Sequence, residues 1–310
     1  MRFLAVLNRD GGALRGMDLK AFSAKIKETL EAAGHLAETR IVAGDEIVDA
    51  LAEAAQQRPV DVVLAGGGDG TISAAAAALK DRNKALAILP AGTMNLFARS
   101  LGVPQSLDEA LASFANGEIK PVDVASANGR VFVHQFSIGM HAKMVRLRDK
   151  MEFRSRLGKI GASVKAAYTT VMNPPTMTVS LEIGDAEIVT RTTGIGVTNN
   201  LFGEGHLPYA DHPDGGVLGV YVTVARQRGE LLRFMLSVAR GKWRDNQQVE
   251  IHEAERVVLK IRAAKAGLRC VIDGELSELE RETVLEIHPK SLRVLVPKSS
   301  GQTAWANSTG

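Results

Sequence analysis

The chain has 310 residues, of which 45% are hydrophobic and 24% charged, as is ordinary for a globular protein. This length predicts two domains or one large one. A single cysteine, Cys270, excludes an internal disulfide and favours a reducing compartment such as the cytoplasm. No apolar run reaches the roughly 18 residues that a membrane-spanning helix needs. The net charge of +3 decides little by itself.

The first part of the chain alternates between predicted strands and helices. Short runs rich in valine, leucine and isoleucine predict strands at residues 3–8, 60–65 and 88–90. Helical apolar spacing predicts helices at residues 18–33, 45–57, 72–79 and 106–116, the last opened by Ser106 with Glu109 three residues later. Alternation of this kind indicates a parallel sheet covered by helices on both faces.

The second part consists mainly of short strand-like runs separated by turn residues. Strands are predicted at residues 131–136, 177–183, 188–197, 217–224, 249–251, 256–261, 269–272, 284–287 and 292–296, with helical inserts at 143–171 and 227–242. We therefore expect an N-terminal three-layer α/β domain over residues 1–125 and a C-terminal β-sandwich domain over 126–298. The polar tail, 299–310, is predicted to be disordered. A cleft between two such domains is a natural place for a ligand.

The strongest motif is DVVLAGGGDGT at residues 61–71, where a buried strand runs into three glycines and then a helix. Consecutive glycines let the backbone approach a ligand and point several N–H groups into one concavity, and the helix N-terminus adds positive charge. A phosphate group suits such a loop. The motif is neither a Walker loop nor a Rossmann fingerprint. The motif also contains Asp69, whose negative carboxylate does not suit a site for phosphate alone. We therefore expect Asp69 to face a metal ion or a network that holds a metal ion.

A second loop, LPAGTMNLFARSLGVP at residues 89–104, ends another strand and begins another helix. In a parallel sheet it lies at the same carboxyl edge as the glycine loop. GGGDGT followed by P-A-G-T-x-N-x-F-A-R-x-L-G-x-P resembles the diacylglycerol kinase catalytic family, nearest its bacterial soluble lipid kinases and their sphingosine- and ceramide-kinase relatives. Asp214-Gly215-Gly216 resembles the family's metal turn, and Asp273-Gly274-Glu275 its late D-G-E motif.

The resemblance implies an enzyme that moves the γ-phosphate of ATP to a lipid hydroxyl, with a nucleotide domain like that of NAD kinases and diacylglycerol kinases. It implies Mg²⁺ held by the Asp214 carboxylate with backbone oxygens of Asp211 and Gly216, and Asp273 as general base. Asp69 and Glu275 would form a supporting network. The implied ATP-binding residues are Asn8, Gly11, Gly12, Thr39, Gly66, Gly67, Gly68, Asp69, Gly70, Thr71, Gly92, Thr93 and Asn95.

A kinase of this type implies a lipid substrate met at the inner face of the membrane. Seven basic residues among apolar ones suit an anionic phospholipid surface: Lys143, Arg146, Arg148, Lys150, Arg154, Arg156 and Lys159. Residues 227–244 offer a second such segment, and ordinary packing of both helices on the β domain is the alternative. A homodimer is left open, and no nucleic acid is expected because aromatic residues for base stacking are few.

Several alternatives stay open. Residues 212–216 could form a plain turn, and Asp273-Gly274 a type I′ hairpin connection. The enzyme could instead resemble an NAD kinase, which shares GGDGT, or be a pseudokinase that binds nucleotide or lipid without transfer. If Asp273 is the base, Asp273→Asn is expected to remove transfer and leave the fold intact.

Overall fold

A computed structural model describes residues 1–149, 156–225, 227–239, 246–264 and 267–298. The chain forms two compact units. The first comprises Met1–Val124, Tyr209–Gly216 and the C-terminal segment from His288, and the second comprises Ala125–Pro208 and Val217–Ile287. The chain therefore passes between the units four times. Among the described residues, no helix is both long and apolar enough to cross a bilayer.

The regular elements up to residue 127 follow in chain order. They are β1 (Arg2–Asn8), a 3-10 turn (Gly12–Leu14), α1 (Leu19–Ala32), β2 (Leu36–Val42), α2 (Ile47–Gln56), β3 (Val62–Gly67), α3 (Asp69–Leu79), β4 (Ala85–Pro90), α4 (Leu96–Ser100), α5 (Leu107–Phe114) and β5 (Glu118–Ala127).

The remaining elements are mostly strands. They are β6 (Arg130–Phe132), β7 (Gln135–Gly139), α6 (Met140–Asp149), α7 (Arg156–Met172), β8 (Met177–Ile183), β9 (Ala186–Thr192), β10 (Gly194–Asn199), β11 (Leu218–Thr223), α8 (Arg228–Ala239), β12 (Val249–Ala254), β13 (Arg256–Ala264), β14 (Arg269–Ile272), β15 (Glu275–Glu278) and β16 (Glu282–Val296).

The first unit is built on a parallel sheet in the order β2-β1-β3-β4, completed by the last residues of β16 beside β4. Its central strands are almost wholly buried, which explains their apolar runs. Helix α1 begins where the Asp18 carboxylate accepts hydrogen bonds from the amides of Lys20 and Ala21, both at 3.0 Å. The predicted α/β fold is confirmed.

The second unit is a β-sandwich, also as predicted. One antiparallel sheet has the order β12-β11-β10-β7-β14-β15, and the other contains β16-β13-β8-β9 with β5 paired to β6. Their inner faces share one core, to which Phe136 and Val197 contribute from the first sheet and Leu181 and Leu259 from the second.

Several element predictions were wrong in detail. Strands β2, β5 and β15 were not predicted; β2 is a sheet-edge strand with a mixed, half-exposed pattern that carries little hydrophobic signal. The expected strand 188–197 is two strands, whereas 284–287 and 292–296 belong to one. Helix α3 begins at Asp69 rather than at residue 72. Ser106 precedes α5 without a side-chain cap, so the expected capping box does not form.

The helical insert at 143–171 comprises two helices, α6 and α7. Residues 150–155 lie outside the described part of the chain, as do the tail from residue 299 and residues 240–245. The predicted strand 131–136 is divided at Val133 and His134. The amides of both residues bind a carboxylate instead of a neighbouring strand.

Candidate active site

Three loops lie together at the carboxyl edge of the parallel sheet, the position that was predicted for the two loops after β3 and β4. They follow β1, β3 and β4. The amide of Ala91 donates to the carbonyl of Gly67 at 2.9 Å, and the amide of Ala13 donates to the carbonyl of Ala91 at 2.7 Å. These bonds join the loop after β4 to the other two, so all three form one surface.

Two glycines of this surface are required because another backbone passes too close for a side chain. A Cβ on Gly92 would lie 2.8 Å from the Cα of Gly68 and 2.6 Å from Oδ1 of Asn95. A Cβ on Gly12, where φ is +28°, would lie 1.9 Å from the carbonyl oxygen of Ala91. The loops therefore present backbone rather than side chains, as phosphate binding at a helix N-terminus requires.

The Asp69 carboxylate is bound by backbone amides of the next loop. Its Oδ2 accepts from the amide of Asn95 at 3.2 Å, and its Oδ1 accepts from the amide of Leu96 at 2.9 Å. Asp69 thus ties the first turn of α3 to the loop after β4. The predicted role of Asp69 in a network that holds a metal stays a prediction.

Asn8 fixes the loop after β1. Its Nδ2 donates to the Thr71 hydroxyl at 3.2 Å, and its Oδ1 accepts from the amide of Asp10 at 3.0 Å. Thr71 is buried in the first turn of α3. Thr93 is exposed in the loop after β4, whereas Thr39 is half-buried in the middle of β2, opposite Ala5.

The predicted metal turn forms a second feature of the first unit. The amide of Gly215 donates to the carbonyl of His212 at 3.3 Å, and Gly216 has φ +75°. The plain-turn alternative therefore describes the backbone correctly. The carboxylate of Asp214 is half-exposed and accepts no hydrogen bond from the described residues.

Asp123, which the sequence did not single out as a site residue, holds this turn in place. The side chain is 0% exposed. Its Oδ2 accepts from the amide of Gly216 and its Oδ1 from the amide of Lys290, both at 2.7 Å, and its own amide donates to the carbonyl of Pro213 at 2.9 Å. A buried carboxylate that accepts both of these backbone amides is a rigid clamp between the turn and the segment at Lys290.

The residues of the turn fit a hard cation. No group of three or more acidic, histidine or cysteine side chains that could hold a metal exists among the described residues. The predicted site needs only one carboxylate, that of Asp214, with two backbone carbonyls. Oxygen donors of this kind are those that Mg²⁺ prefers, and among the described residues the Asp214 carboxylate has no hydrogen bond that a metal would have to replace.

Asp273 is a heavily hydrogen-bonded acid of the second unit. It is 8% exposed. Its Oδ2 accepts from the amide of Val133 at 2.9 Å, and its Oδ1 accepts from the amides of His134 at 2.9 Å and Gln135 at 3.0 Å. Three donors on a carboxylate with about four lone-pair positions fix its orientation.

The hairpin alternative for Asp273-Gly274 is also correct. Ile272 pairs with Glu275 across a two-residue turn in which φ is +46° at Asp273 and +88° at Gly274, as in a type I′ turn. Glu275 is exposed and lies 3.3 Å from the guanidinium of Arg130. This ion pair, rather than the Asp273 carboxylate, is the contact that the structure gives Glu275.

A cavity of about 290 Å³ opens within the second unit beside the segment that binds Asp273. Its lining is mostly apolar and includes Ile138, Met140, Ile195, Phe202, Phe234 and Val238. Gln135, whose amide binds Asp273, is one of its polar lining residues, with Ser137, His141 and Thr198. Sequence periodicity could not reveal this cavity, because its walls come from β7, β10, β11 and α8.

Burial of the imidazole, with a smaller effect of His141, lowers the pKa of His134 to about 3. The ring stacks on Phe202 at 5.0 Å between centroids.

The unfolded chain binds a proton below a pH of about 6.5 and the native ring does not, so stability should fall as pH drops from 6.5 toward 3. At pH 5 the lowered pKa of His134 should reduce the free energy of unfolding by about 2 kcal/mol. Thermal unfolding at pH 7 and pH 5 should therefore show that His134→Phe loses less stability on acidification than the wild type does. The half-exposed control His206→Phe should keep the wild-type loss of stability. Equal losses in all three proteins would contradict the assignment.

Comparison with known proteins agrees with this architecture. Residues 2–127 match the diacylglycerol kinase catalytic domain, and residues 135–296 match the YegS C-terminal NAD kinase beta sandwich-like domain. The diacylglycerol kinase of Bacillus subtilis (strain 168) is 24% identical over 298 residues, covering 91% of this chain and 93% of that protein. That of Staphylococcus saprophyticus is 26% identical, covering 79% and 80%.

A solved diacylglycerol kinase from Bacillus anthracis str. Sterne superposes with a TM-score of 0.70 at 22% identity, covering 95% of this chain and 96% of that one, and so shares the fold. An α/β kinase domain followed by the matching β-sandwich defines a lipid kinase. The chain belongs to the diacylglycerol kinase catalytic family, with the YegS-type C-terminal domain.

Proposed function

We propose that this enzyme transfers the γ-phosphate of ATP to the hydroxyl of a membrane lipid of the diacylglycerol or ceramide kind, in a Mg²⁺-dependent reaction with Asp273 as general base. The observation that carries the proposal is the apolar cavity beside the segment that binds the Asp273 carboxylate. The other unit of the chain contributes glycine-rich loops of the kind that bind phosphate.

The nucleotide phosphates would bind the backbone of the three loops. Gly66–Gly67 closes β3, Gly68 precedes α3 and Gly92 lies against Gly68, so their N–H groups and the N-terminal end of α3 would face the phosphates. Asn8, Asp69 and Asn95 fix the loops through their hydrogen bonds. Thr39 and Thr93 are the proposed side-chain contacts.

Gly92→Ala should raise the KM for ATP by about tenfold or more, because a Cβ would collide with Gly68 and Asn95 and displace the loop. Gly161→Ala is the matched control, since Gly161 lies exposed in α7 with no atom within 4 Å of the added carbon. Steady-state kinetics against ATP would measure both variants. An unchanged KM in Gly92→Ala would show that this loop does not hold the nucleotide.

Mg²⁺ would be held by the Asp214 carboxylate and by the backbone carbonyls of Asp211 and Gly216. When bound, the ion supplies positive charge that organises the turn and stabilises negative charge on phosphate. Asp123 keeps the turn in the shape that places these oxygens, since it binds the amide of Gly216.

The lipid would place its apolar chains in the cavity of the second unit and its hydroxyl toward Asp273. Phosphoryl transfer requires the acceptor hydroxyl to lose its proton as it attacks phosphorus. Asp273 can accept that proton, and its three amide donors keep it oriented for the task. Glu275 is the less suitable base because it is exposed and paired with Arg130.

We also propose that the enzyme reaches its substrate at an anionic membrane surface. Of the seven basic residues predicted to meet that surface, the side chains of Lys143 and Arg146 on α6 are described, and both lie at one pocket with Arg269. Side chains of residues 148–160 lie outside the described part of the chain.

The test is incubation of the purified enzyme with γ-labelled ATP and vesicles holding diacylglycerol, ceramide or sphingosine, with NAD as a parallel acceptor. We expect label in a diacylglycerol- or ceramide-type lipid, and loss of labelling with EDTA. Label in NAD alone would instead establish an NAD kinase. Tight ATP binding with no labelled product from any acceptor would indicate a pseudokinase.

A further inference from the structure

We propose that the outer face of α8 inserts into an anionic bilayer, so that this helix is both a membrane-binding surface of the second unit and a wall of the apolar cavity. This inference rests on the proposed function, and it names the element that the lipid would pass on its way to the cavity.

Helix α8 carries apolar residues on more than one face. Leu231 is fully buried in a small apolar cluster, and Phe234 and Val238 line the cavity. A surface helix normally keeps its apolar residues on the face that packs and places polar residues on the opposite face. Packing within the second unit therefore accounts for these three residues and leaves two more, Leu232 and Leu236, to be explained.

Leu232 and Leu236 lie together on the outer face of the helix. They are 52% and 45% exposed. Each residue turns the helix by about 100°, so residues four apart are neighbours, and this pair lies roughly opposite Phe234 and Val238. Single exposed apolar side chains are ordinary on a protein surface. Two adjacent leucines on the back of a cavity wall instead form a small apolar patch that faces solvent.

The charges beside this patch identify the surface that it fits. Arg228 and Arg233 are exposed on the same helix, and the turn of about 100° per residue places them on either side of the two leucines. The one acid of the helix, Glu230, is half-buried and accepts a hydrogen bond from the amide of Gln227 at 3.0 Å. The outer face of α8 thus combines apolar residues with positive charge. That combination is typical of a helix that lies in the interface of an anionic membrane.

The position of α8 connects this face to the lipid. One side of the helix would contact the bilayer, and the other lines the cavity proposed to take the apolar chains. A helix is only about 10 Å across. A lipid would therefore move by little more than one helix diameter to bring its chains from the bilayer to Phe234 and Val238.

Sedimentation of the full-length enzyme with vesicles tests the inference without any phosphoryl transfer. The vesicles are phosphatidylcholine with or without phosphatidylglycerol. Leu232→Ser combined with Leu236→Ser should lower the partition coefficient onto the anionic vesicles by about tenfold or more. Arg228→Gln combined with Arg233→Gln should lower the preference for anionic over neutral vesicles, also by about tenfold. Val48→Ser is the matched control, since Val48 is 59% exposed on α2, and it should bind as the wild type does.

Kinetics with two forms of the substrate separates membrane binding from catalysis. At limiting vesicle concentration, the variant with both leucines replaced should phosphorylate diacylglycerol in vesicles about tenfold more slowly. It should phosphorylate a short-chain diacylglycerol that is monomeric in solution at the wild-type rate. An equal loss with both substrates would overturn the inference, because the leucines would then act on the cavity rather than on the membrane.

The outcome for this surface is distinct from the outcome for the proposed function. Vesicle binding that the leucine variant loses, with no lipid phosphorylated by any of the proteins, would refute the kinase function and leave the membrane surface standing. Unchanged vesicle binding in the leucine variant would overturn the inference even if the wild type is an active lipid kinase. If that variant also sedimented as a smaller species than the wild type, the patch would be a contact between two copies of the chain instead.

Discussion

Asp273→Asn should lower lipid phosphorylation by about 10²–10⁴-fold while leaving the affinity for ATP unchanged, because asparagine cannot accept the proton of the lipid hydroxyl. The structure adds a second effect that the sequence did not predict. The carboxylate accepts three backbone amides, and an asparagine NH₂ group would oppose at least one of them. We therefore expect a stability loss of about 1–3 kcal/mol in the second unit.

The kinetic and structural effects of Asp273→Asn can be separated. Activity should be measured well below the variant's unfolding temperature, with ATP binding as a measure of the folded first unit. Asp185→Asn is a matched control, since Asp185 is an exposed residue in the turn between β8 and β9. An Asp273→Asn enzyme that keeps activity within tenfold of the wild type would show that another group takes the proton.

Asp123→Ala should destabilise the first unit by about 2–6 kcal/mol, because it leaves the partly buried amides of Gly216 and Lys290 without acceptors at about 1–3 kcal/mol each. The turn that carries Asp214 would lose its clamp, and half-maximal activity should require a higher Mg²⁺ concentration. Thermal unfolding with and without Mg²⁺, together with a Mg²⁺ titration of activity, would measure both effects.

Asp214→Ala provides the comparison for this prediction. Its carboxylate accepts no hydrogen bond from the described residues, so the variant should lose the Mg²⁺ response with little loss of stability in the absence of the ion. Asp123→Ala should be unstable in both conditions. If the two variants unfolded alike without Mg²⁺, the clamp assigned to Asp123 would be wrong.

The elements that could be predicted are those with a local signal. The buried strands of the parallel sheet are continuous apolar runs, and α1 has both amphipathic spacing and the Asp18 cap. Strand β2 gave no such signal, because an edge strand needs no buried face on both sides. The division between β6 and β7 was missed for a different reason: amides of Val133 and His134 bind Asp273, about 140 residues away along the chain.

The same distinction applies to the site. The glycine loops were visible as sequence motifs because each contains its own turn chemistry. Asp123 was not, since its partners Gly216 and Lys290 lie 93 and 167 residues away and have no special side chains. At 212–216 and 272–275 the simple turn interpretation and the functional one do not exclude each other. The structure shows the turns, and a turn is a suitable way to present Asp214 and Asp273.

The measurement that tests the central claim most directly is ³¹P NMR of the product formed from ATP and diacylglycerol vesicles. We predict a new lipid phosphomonoester resonance that grows in equal amount with ADP, requires Mg²⁺ and is absent with Asp273→Asn. ADP formation with only inorganic phosphate, or a phosphate carried by NAD instead of the lipid, would contradict the account.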